Sequence, residues 1–290
     1  MATVIPKNAV RFTIDEIAAA TNGRILRGGP PSVGMCTDSR AVDRRSAFVA
    51  LIGEHFDGHA FLANAVAAGA RALIVSRDIA VSQVGAPDVG PAVVRVADTR
   101  RALGDLARYH RLRWQRSASP SGKRSVIGIT GSAGKTTTKT VLATILEAFF
   151  PGAVLATHGN LNNDVGVPMM LFGLAPEHWL GVFELGTNAK GEIARLSEIA
   201  VPDVAVLTLV AVAHTEGIGT IDDVAAEKGS LFAALTQEGL CVVNADDARA
   251  VAQLVRSPAK RRVSYGFSEK ADVRILSRVA LGIGGSQITL

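Results

Sequence analysis

The sequence has few cysteines and no long apolar run, and both absences exclude classes of protein. Its two cysteines, Cys36 and Cys241, lie far apart and outside any metal-binding spacing, so a disulfide framework is not predicted. Residues 1–12 lack the apolar stretch of a signal peptide, and no segment has the apolar length of a membrane span. We therefore predict a soluble protein of a reducing, cytoplasmic compartment, with no membrane partner.

Residues 100–124 are rich in arginine, and no pattern of stacking aromatics accompanies these arginines. Proteins that bind nucleic acids combine basic side chains with aromatic platforms, so this stretch predicts a solvated helix face and no nucleic-acid partner. The formal net charge is only +5. That value suits a protein that binds polyanionic small molecules, and it suits an ordinary basic protein equally well.

With 290 residues, the chain is long enough for two domains. Hydrophobic residues make up 48% and charged residues 20%, which predicts packed cores and no wholesale disorder. Thr13, with Glu16 three residues later, predicts the start of a short helix. The polar, proline-containing segment 115–123 is the best linker candidate. We predict a first domain over residues 1–116 and a second over residues 117–290.

After the linker, the order strand, loop, helix recurs along the chain. The predicted strands are nearly continuous apolar runs, as in strands that are buried on both faces. This pattern predicts an α/β fold: a small N-terminal α/β domain, then a central domain with a mostly parallel sheet flanked by helices. The chain ends at Leu290 inside a predicted strand, so we expect a truncated chain. The predicted strands of the central domain cover residues 125–130, 153–156, 181–184, 204–210 and 240–243.

A glycine-rich loop follows the first strand of the central domain and opens a predicted helix. Its backbone N–H groups and the helix N-terminus can cradle phosphate. Lys135 can neutralise the β- and γ-phosphates, and the Thr136 hydroxyl can hold Mg²⁺. The general pattern has a glycine where this chain has Ile129, so a glycine-rich turn with a stray lysine is the alternative. The predicted nucleotide-binding residues of the loop are Gly131, Ser132, Ala133, Gly134, Lys135, Thr136 and Thr137.

Polar residues follow each later strand of this domain. Because ligands of open α/β sheets bind beyond the carboxyl ends of the strands, these loops and the phosphate loop predict one composite site. Glu184 and His214 are candidates for holding Mg²⁺ or organising water. For His214, the alternative is a turn histidine that binds no ligand. For the loop at residues 244–247, the alternative is that Asp246 caps the next helix. The polar residues are Asn160, Asn162, Asn163, Asp164, Glu184, Thr187, Asn188, His214, Glu216, Asn244, Asp246 and Asp247.

Lys228 stands among apolar residues of a predicted helix over residues 221–235. Apolar side chains occupy positions 224, 231, 232 and 235, and Lys228 falls on the same face. A buried lysine is costly unless it is paired, and burial lowers its pKa. The periodicity leaves two interpretations open: a lysine that extends to the edge of the core, and a functional amine that is chemically modified.

Together these residues resemble the Mur ligase family of ATP-dependent ligases. Residues 128–138 are similar to the phosphate loop of the family, including its shortened glycine spacing. The resemblance implies that Asn244 contacts adenine and that Lys228 is carbamylated, since a buried amine of low pKa can accept CO₂. It implies the catalytic residues Lys135, Glu184, His214 and Lys228 and the metal ligands Thr136, Glu184, His214 and Lys228.

Within the family, the chain resembles the branch that adds D-alanyl-D-alanine to a UDP-N-acetylmuramoyl-tripeptide. Residues 159–168, 184–193 and 213–219 carry this resemblance. The tripeptide-forming relatives have threonines where this chain has asparagines at positions 162 and 163. The first domain resembles the small domain that holds the UDP part of the substrate. The implied substrate-binding residues are Asp38, Ser39, Arg40, His59, Asn160, Asn162 and Asn163.

The resemblance implies a reaction in two steps, with ATP and Mg²⁺ as cofactors. The peptide carboxylate attacks the γ-phosphate of ATP, and the amine of D-alanyl-D-alanine attacks the resulting acyl phosphate. A monomer is expected. The C-terminal domain of the family is absent from the chain, so binding without turnover is expected of this fragment. Ala189 replaces a usual histidine and Ile218 a usual phenylalanine, and both departures concern fine substrate contacts.

Two alternatives stay open at this level. One is another ligase of the superfamily, such as folylpolyglutamate synthetase or a cyanophycin-type enzyme, although the segment Asp38-Ser39-Arg40 argues against the folate enzyme. The other is a non-catalytic nucleotide-binding module, which the absence of a C-terminal domain keeps open.

Overall fold

The computed structural model describes residues 3–80, 84–85, 90–117, 122–212, 215–282 and 285–290. The chain divides into two compact units, residues 1–118 with 158–176 and residues 119–157 with 177–290. The predicted boundary at residue 116 lies close to the first crossing between the units. The prediction assigned residues 158–176 to the central domain, however, whereas they pack in the first unit. Among the described residues, no helix combines the length and the apolar character needed to cross a membrane.

Helices and strands alternate along both units. The helices are α1 (Ile14–Thr21), α2 (Leu62–Ala67), α3 (Thr99–Arg116), α4 (Lys135–Phe149), α5 (Gly166–Leu171), α6 (Glu192–Ala200), α7 (Thr215–Ile218), α8 (Ile221–Ala233) and α9 (Ala248–Ala252). Short 3₁₀ helices cover Ser39–Ala41, Gly58–Phe61 and Gln253–Arg256. The strands are β1 (Arg11–Phe12), β2 (Arg24–Arg27), β3 (Ser32–Val33), β4 (Met35–Cys36), β5 (Ala47–Val49), β6 (Ala72–Val75), β7 (Ala92–Arg95), β8 (Ser125–Thr130), β9 (Val154–Ala156), β10 (Leu180–Glu184), β11 (Val204–Leu207), β12 (Leu240–Asn244), β13 (Arg261–Gly266), β14 (Val273–Arg274), β15 (Ser277–Ala280) and β16 (Ser286–Thr289).

The first unit is built on a sheet with the strand order β2-β7-β6-β5-β4. The pair β2–β7 is antiparallel, and the other described pairs are parallel. Phe48, Leu73 and Val93 from three neighbouring strands pack with Leu62 of α2 in one apolar core. As predicted, the Thr13 side chain caps α1, and Glu16 completes a capping box.

Helix α3 carries most of the arginines that were predicted to form a solvated face. Arg100, Arg101 and Arg108 are exposed, in agreement with that prediction. For Arg111 the prediction was wrong, because this residue is fully buried, with its guanidinium 5.3 Å from the centre of the Trp114 ring. Arg113 forms a 3.0 Å ion pair with a carboxylate of α1. Packing and stacking therefore account for part of this basic stretch without nucleic acid.

Residues 158–176 are held in the first unit by the end of α3. His110 Nε2 lies 2.9 Å from the carbonyl oxygen of Leu174, and Trp114 Nε1 donates to the carbonyl oxygen of Ala175 at 3.0 Å. Helix α5, which this segment contains, packs against α3. The segment leaves the second unit after Thr157 and re-enters it at Glu177.

The second unit contains a seven-stranded sheet with the order β14-β13-β12-β11-β8-β10-β9, and its described pairs are parallel. This confirms the predicted α/β fold with a parallel sheet flanked by helices. Strand β8 has the predicted bounds, but β11 ends at Leu207 instead of Val210. It ends early because the following residues bond to the glycine-rich loop. Strands β15 and β16 form a separate antiparallel hairpin.

Candidate active site

The glycine-rich loop joins the central strand β8 to α4. From β8, the sheet runs to β10 and β9 on one side and to β11 and β12 on the other. Such a topological switch point is where α/β sheets bind ligands. Gly131 and Gly134 adopt φ angles of +152° and +81°, which favour glycine. A Cβ atom on Gly131 would also collide with Thr208 Oγ1. Backbone geometry and close packing therefore both require glycine in this loop.

Residues that follow β11 hold the loop by hydrogen bonds. Thr208 Oγ1 donates to the carbonyl oxygen of Ala133 at 2.6 Å. The N–H of Ser132 donates to the carbonyl oxygen of Leu209, and its hydroxyl exchanges two 2.9 Å bonds with the backbone of Ala211. Ser132 is predicted to bind nucleotide, but its N–H and its hydroxyl both form hydrogen bonds within the protein. Thr208 is not among the predicted site residues, although it directly follows a buried apolar strand.

Predicted catalytic residues lie together at the start of α4. Thr136 Oγ1 donates a 2.8 Å hydrogen bond to Glu184 Oε2, and Glu184 is only 3% exposed. Lys135 Nζ donates to the carbonyl oxygen of Gly131 at 2.8 Å. Hydroxyl and carboxylate oxygens are the hard ligands that Mg²⁺ prefers, so the Thr136–Glu184 pair fits a magnesium site. The remaining predicted loop residues, Ala133, Gly134 and Thr137, are exposed.

Lys228 is buried inside the second unit, with 2% of its surface exposed, and so does not extend to the edge of the core. Burial and then the charge of Lys135 lower the pKa of Lys228 to about 8, whereas the Glu227 carboxylate acts in the opposite direction. An amine is a poor ligand for a hard cation, but a carbamate has the oxygen atoms that Mg²⁺ prefers. Lys228 therefore fits a magnesium site only after modification.

Glu227, the neighbour of Lys228 in α8, anchors the start of α6. Its carboxylate accepts hydrogen bonds from the N–H groups of Gly191 and Ile193, both at 2.7 Å. A negative charge is stabilising at this end of a helix. Helix α8 thus carries both the buried amine and the anchor of the loop that follows β10. Glu227 is not among the predicted site residues, although it lies on the same apolar face of the helix as Lys228.

Asp247 connects the loop after β12 to the residues after β11. It is the N-cap of α9 and accepts hydrogen bonds from the N–H groups of Arg249 and Ala250 at 2.9 and 3.1 Å. Its second oxygen accepts the N–H of Val210 at 2.5 Å. The alternative that Asp246 caps this helix is therefore wrong by one residue.

Asn244 and Asp246 shape the same loop beyond the carboxyl end of β12. Asn244 Oδ1 accepts the N–H of Asp246 at 3.0 Å. The Asp246 carboxylate accepts the N–H groups of Phe267 and Ser268 at 2.8 and 2.7 Å, so it ties the ends of β12 and β13 together. The Asn244 amide nitrogen therefore points away from the N–H of Asp246. It is a hydrogen-bond donor and suits a ring nitrogen of adenine.

The predicted metal ligand His214 lies outside the described residues, as does Ala213. Within the described part of the chain, no group of three or more histidine, cysteine, aspartate or glutamate side chains could hold a metal ion. Among the described residues, the candidate magnesium site therefore consists of Thr136 and Glu184, with Lys228 as a buried amine of the same unit.

The first unit has a separate pocket of about 500 Å³. The predicted residues Asp38, Ser39 and Arg40 line it together with Phe56 and Phe61. Asp38 caps the 3₁₀ helix at Ser39–Ala41 and forms a 2.7 Å ion pair with Arg40, which lowers the pKa of the Asp38 carboxyl. Partly exposed rings and a guanidinium are suited to a planar base and to phosphate groups.

His59, which is predicted to bind substrate, has both ring nitrogens engaged within the first unit. Its Nδ1 lies 2.7 Å from Asp57 Oδ1, and its Nε2 accepts the N–H of Ser76 at 3.0 Å. Arg77 holds the other oxygen of Asp57 at 2.6 Å. Both ring nitrogens are engaged and the side chain is buried, so this geometry favours a structural role for His59.

The three predicted asparagines lie in the first unit, on the segment 158–176. Asn160 Oδ1 accepts the hydroxyl of Thr3, and Asn163 Oδ1 accepts the N–H of Gly166 at 2.8 Å at the start of α5. Asn162 lies between them in the same turn. The compact unit that contains these asparagines is therefore the one that contains the pocket.

Two family models match the chain. The model of the Mur ligase middle domain matches residues 129–289, which include the phosphate loop and most of the parallel sheet. A model described as Mur ligase family, catalytic domain, matches residues 32–111 in the first unit.

Curated proteins and solved structures agree with these matches. UDP-N-acetylmuramoyl-tripeptide–D-alanyl-D-alanine ligase of Escherichia coli (strain K12) is 39% identical over 238 residues, which are 82% of this chain and 49% of that protein. The enzyme of the same name from Mycobacterium bovis is 32% identical over 91% of this chain and 54% of that protein. MurF from Acinetobacter baumannii superposes with a TM-score of 0.82 at 34% identity, over 97% of this chain and 61% of that chain.

A further solved structure, MurF from Thermotoga maritima in complex with ADP, superposes with a TM-score of 0.74 at 28% identity, over 88% of this chain and 54% of that chain. The chain spans about half the length of the curated relatives that it matches. The middle-domain model alone covers more than half of this chain and includes the loop, the carboxylate and the buried lysine described above, so the chain belongs to the Mur ligase family.

Proposed function

We propose that this chain carries the ATP site and the UDP-substrate site of a ligase that adds D-alanyl-D-alanine to UDP-N-acetylmuramoyl-tripeptide. The observation that carries the proposal is the contact between Thr136 and Glu184 beside the phosphate-loop lysine, with a buried lysine of lowered pKa in the same unit. The relatives with this printed activity supply the substrate class. The pocket of the first unit would hold the UDP part.

Charge neutralisation is the main task of such a site, because a carboxylate must approach a triphosphate. The backbone N–H groups of the loop and the Lys135 ammonium would stabilise negative charge on the β- and γ-phosphates. Bound Mg²⁺ would supply further positive charge there. Thr136 and Glu184 would hold one ion, and Lys228 as its carbamate, with His214, would hold another.

The chemistry then follows from the substrates. An oxygen of the peptide carboxylate forms a bond to the γ-phosphorus, the bond to the β-phosphate oxygen breaks, and ADP leaves. The amine of D-alanyl-D-alanine attacks the carbonyl carbon of the acyl phosphate, loses a proton and displaces inorganic phosphate. Asn244 would position the adenine ring at the far end of the nucleotide. We place this reaction in the cytoplasm, in line with the free thiols of Cys36 and Cys241.

Calorimetry with the 290-residue chain tests the proposal through binding alone. We expect Mg²⁺–ATP to bind and UDP-muramoyl-tripeptide to bind more tightly than UDP-muramoyl-dipeptide. Lys135→Ala should weaken ATP binding and leave the UDP-sugar affinity unchanged. Arg40→Ala should do the reverse, because Arg40 lines the pocket of the first unit. Each variant is therefore the control for the other.

Two results would redirect the assignment. ATP binding without affinity for either UDP-sugar would favour another ligase of the superfamily or a nucleotide-binding module. Equal affinity for tripeptide and dipeptide substrates would retain the ligase family but contradict the D-alanyl-D-alanine branch.

A further inference from the structure

Lys139 is an unexpected residue on the helix that follows the phosphate loop. Of the residues of α4, all of which the structure describes, Lys139 is the one that is buried. Apolar neighbours on α4, such as Leu142 and Leu146, are only partly buried where they pack against the sheet. Burying an ammonium group costs free energy unless the group is hydrogen-bonded, so a buried Lys139 requires a hydrogen-bond partner.

The ammonium of Lys139 binds the chain at the end of the edge strand β9. Its Nζ donates a 3.0 Å hydrogen bond to the carbonyl oxygen of Thr157. Thr157 extends the pairing of β9 with β10 by one further bond, from its N–H to the carbonyl oxygen of Val182 at 3.0 Å. Lys139 therefore fastens α4 to the carboxyl end of two neighbouring strands.

The same threonine also holds Glu184. The N–H of Glu184 donates a 2.9 Å hydrogen bond to Thr157 Oγ1, and the Glu184 carboxylate accepts the Thr136 hydroxyl at 2.8 Å. Thr136 and Lys139 are one helical turn apart on α4, on neighbouring positions of its surface. The bonds thus close a ring in the order Lys139, Thr157, Glu184, Thr136.

We propose that Lys139 is a positioning residue that sets the separation of Thr136 and Glu184 by anchoring Thr157. This inference rests on the proposed function, because it assigns these two oxygens to a metal site. The strand β9 has only three residues and lies at the edge of the sheet, so its end needs a second attachment. With the anchor lost, α4 can shift along β9 and β10, and metal ligands must be held to within about 0.5 Å.

The test measures Mn²⁺ binding to the 290-residue chain with ADP present, from the loss of the free-ion electron paramagnetic resonance signal. Lys139→Met keeps the length of the side chain but removes its donors. We expect Mn²⁺ affinity to fall about tenfold, the effect typical of groups that orient metal ligands. Lys139→Arg keeps hydrogen-bond donors at this position and should keep most of the wild-type Mn²⁺ affinity. Thr144→Val, on the exposed side of α4, should match the wild type.

A second pair of variants tests the ring at Thr157 and covers the case in which Lys139→Met does not fold. Thr157→Val removes the hydroxyl that receives Glu184 N–H and should lower Mn²⁺ affinity as Lys139→Met does. Thr157→Ser keeps the hydroxyl and should retain the wild-type Mn²⁺ affinity. The thermal unfolding midpoints of the variants separate loss of positioning from loss of fold.

Three results would overturn the inference. Mn²⁺ affinity equal to wild type in a folded Lys139→Met or Thr157→Val chain would show that the ring does not position the ligands. An equal loss of ADP affinity with and without metal would make Lys139 a direct phosphate contact. If the wild-type chain itself binds neither ADP nor Mn²⁺, the proposed function fails, and this inference fails with it.

Discussion

The hydroxyl of Thr136 donates a 2.8 Å hydrogen bond to Oε2 of Glu184 and so joins the first turn of α4 to the carboxyl end of β10. The two residues are 48 positions apart in the sequence. A buried carboxyl group needs a hydrogen-bond partner, and the Thr136 hydroxyl supplies one. The pair thereby brings together, beside the phosphate loop, the two oxygen atoms that we propose as metal ligands.

Glu184→Gln keeps the size of this side chain but removes its charge. We expect the gain in ATP affinity that Mg²⁺ gives to fall by more than about tenfold, because groups outside the ligand shell already contribute that much. ATP affinity in the presence of a chelator should not fall, since no positive group is lost. Calorimetry with Mg²⁺ and with chelator measures both quantities. An unchanged Mg²⁺ effect would remove Glu184 from the metal site.

Gly131→Ala tests the close packing of the phosphate loop. The new methyl group would collide with Thr208 Oγ1, so we expect the free energy of unfolding to fall by about 1 to 3 kcal/mol from overpacking, with backbone strain in addition. Gly152→Ala is the control, because Gly152 has a φ of +73° and open space where the added methyl group would lie. For Gly152→Ala, only backbone strain should lower the free energy of unfolding, by about 1 to 2 kcal/mol. Urea unfolding compares the two variants, and equal losses would contradict the packing argument.

His110 should make the first unit sensitive to acid. Burial, and to a lesser degree the charge of Arg113, lower the pKa of His110 to about 4, while its bond to the Leu174 carbonyl oxygen opposes them. The unfolded histidine has a higher pKa, so between about pH 6.5 and 4 the unfolded state binds the extra proton. Stability is therefore lost as the pH falls through this window, by about 2 kcal/mol at pH 5.

His110→Gln can still donate to Leu174 but does not titrate, so the difference in unfolding free energy between pH 7 and pH 5 should be smaller for this variant. Urea unfolding followed by tryptophan fluorescence measures it, since Trp114 lies on the same helix. An identical pH dependence in the variant would show that other groups cause the acid sensitivity.

Lys228 should react with carbon dioxide near neutral pH. Its pKa of about 8 leaves a substantial neutral fraction of the amine at pH 8, whereas an ordinary lysine is almost wholly protonated there. We expect a carbamate resonance in the ¹³C spectrum of the chain with ¹³C-bicarbonate at pH 8. The resonance should be missing in Lys228→Arg and present in Lys139→Arg, which alters another buried lysine. Its persistence in Lys228→Arg would assign the carbamate to a different amine.

Local sequence determined those features that depend on neighbouring residues. The capping box of Thr13 and Glu16 formed as predicted, because both partners lie within one turn. Strand β8 and the start of α4 also have their predicted positions, since an apolar run, two glycines and a lysine are enough to specify a strand, a tight loop and a helix start. The parallel order of the sheet follows from the repeated alternation of strand and helix.

Tertiary structure decided where polar groups of distant segments find partners. The sequence offers Asp246 as a helix cap, but Asp247 caps α9, and Asp246 accepts the N–H groups of Phe267 and Ser268 instead. The family resemblance implies that His59 binds substrate, whereas in the folded chain Asp57 and Ser76 engage both of its ring nitrogens.

The same reason explains the placement of residues 158–176 and the burial of lysines. The segment follows strand β9 in sequence, but His110 and Trp114 of α3 satisfy its carbonyl groups in the first unit. Periodicity marked Lys228 without deciding between a buried and an extended side chain, and it did not mark Lys139 at all. A buried polar group must be hydrogen-bonded or change its pKa, and only the folded chain determines which partners lie within reach.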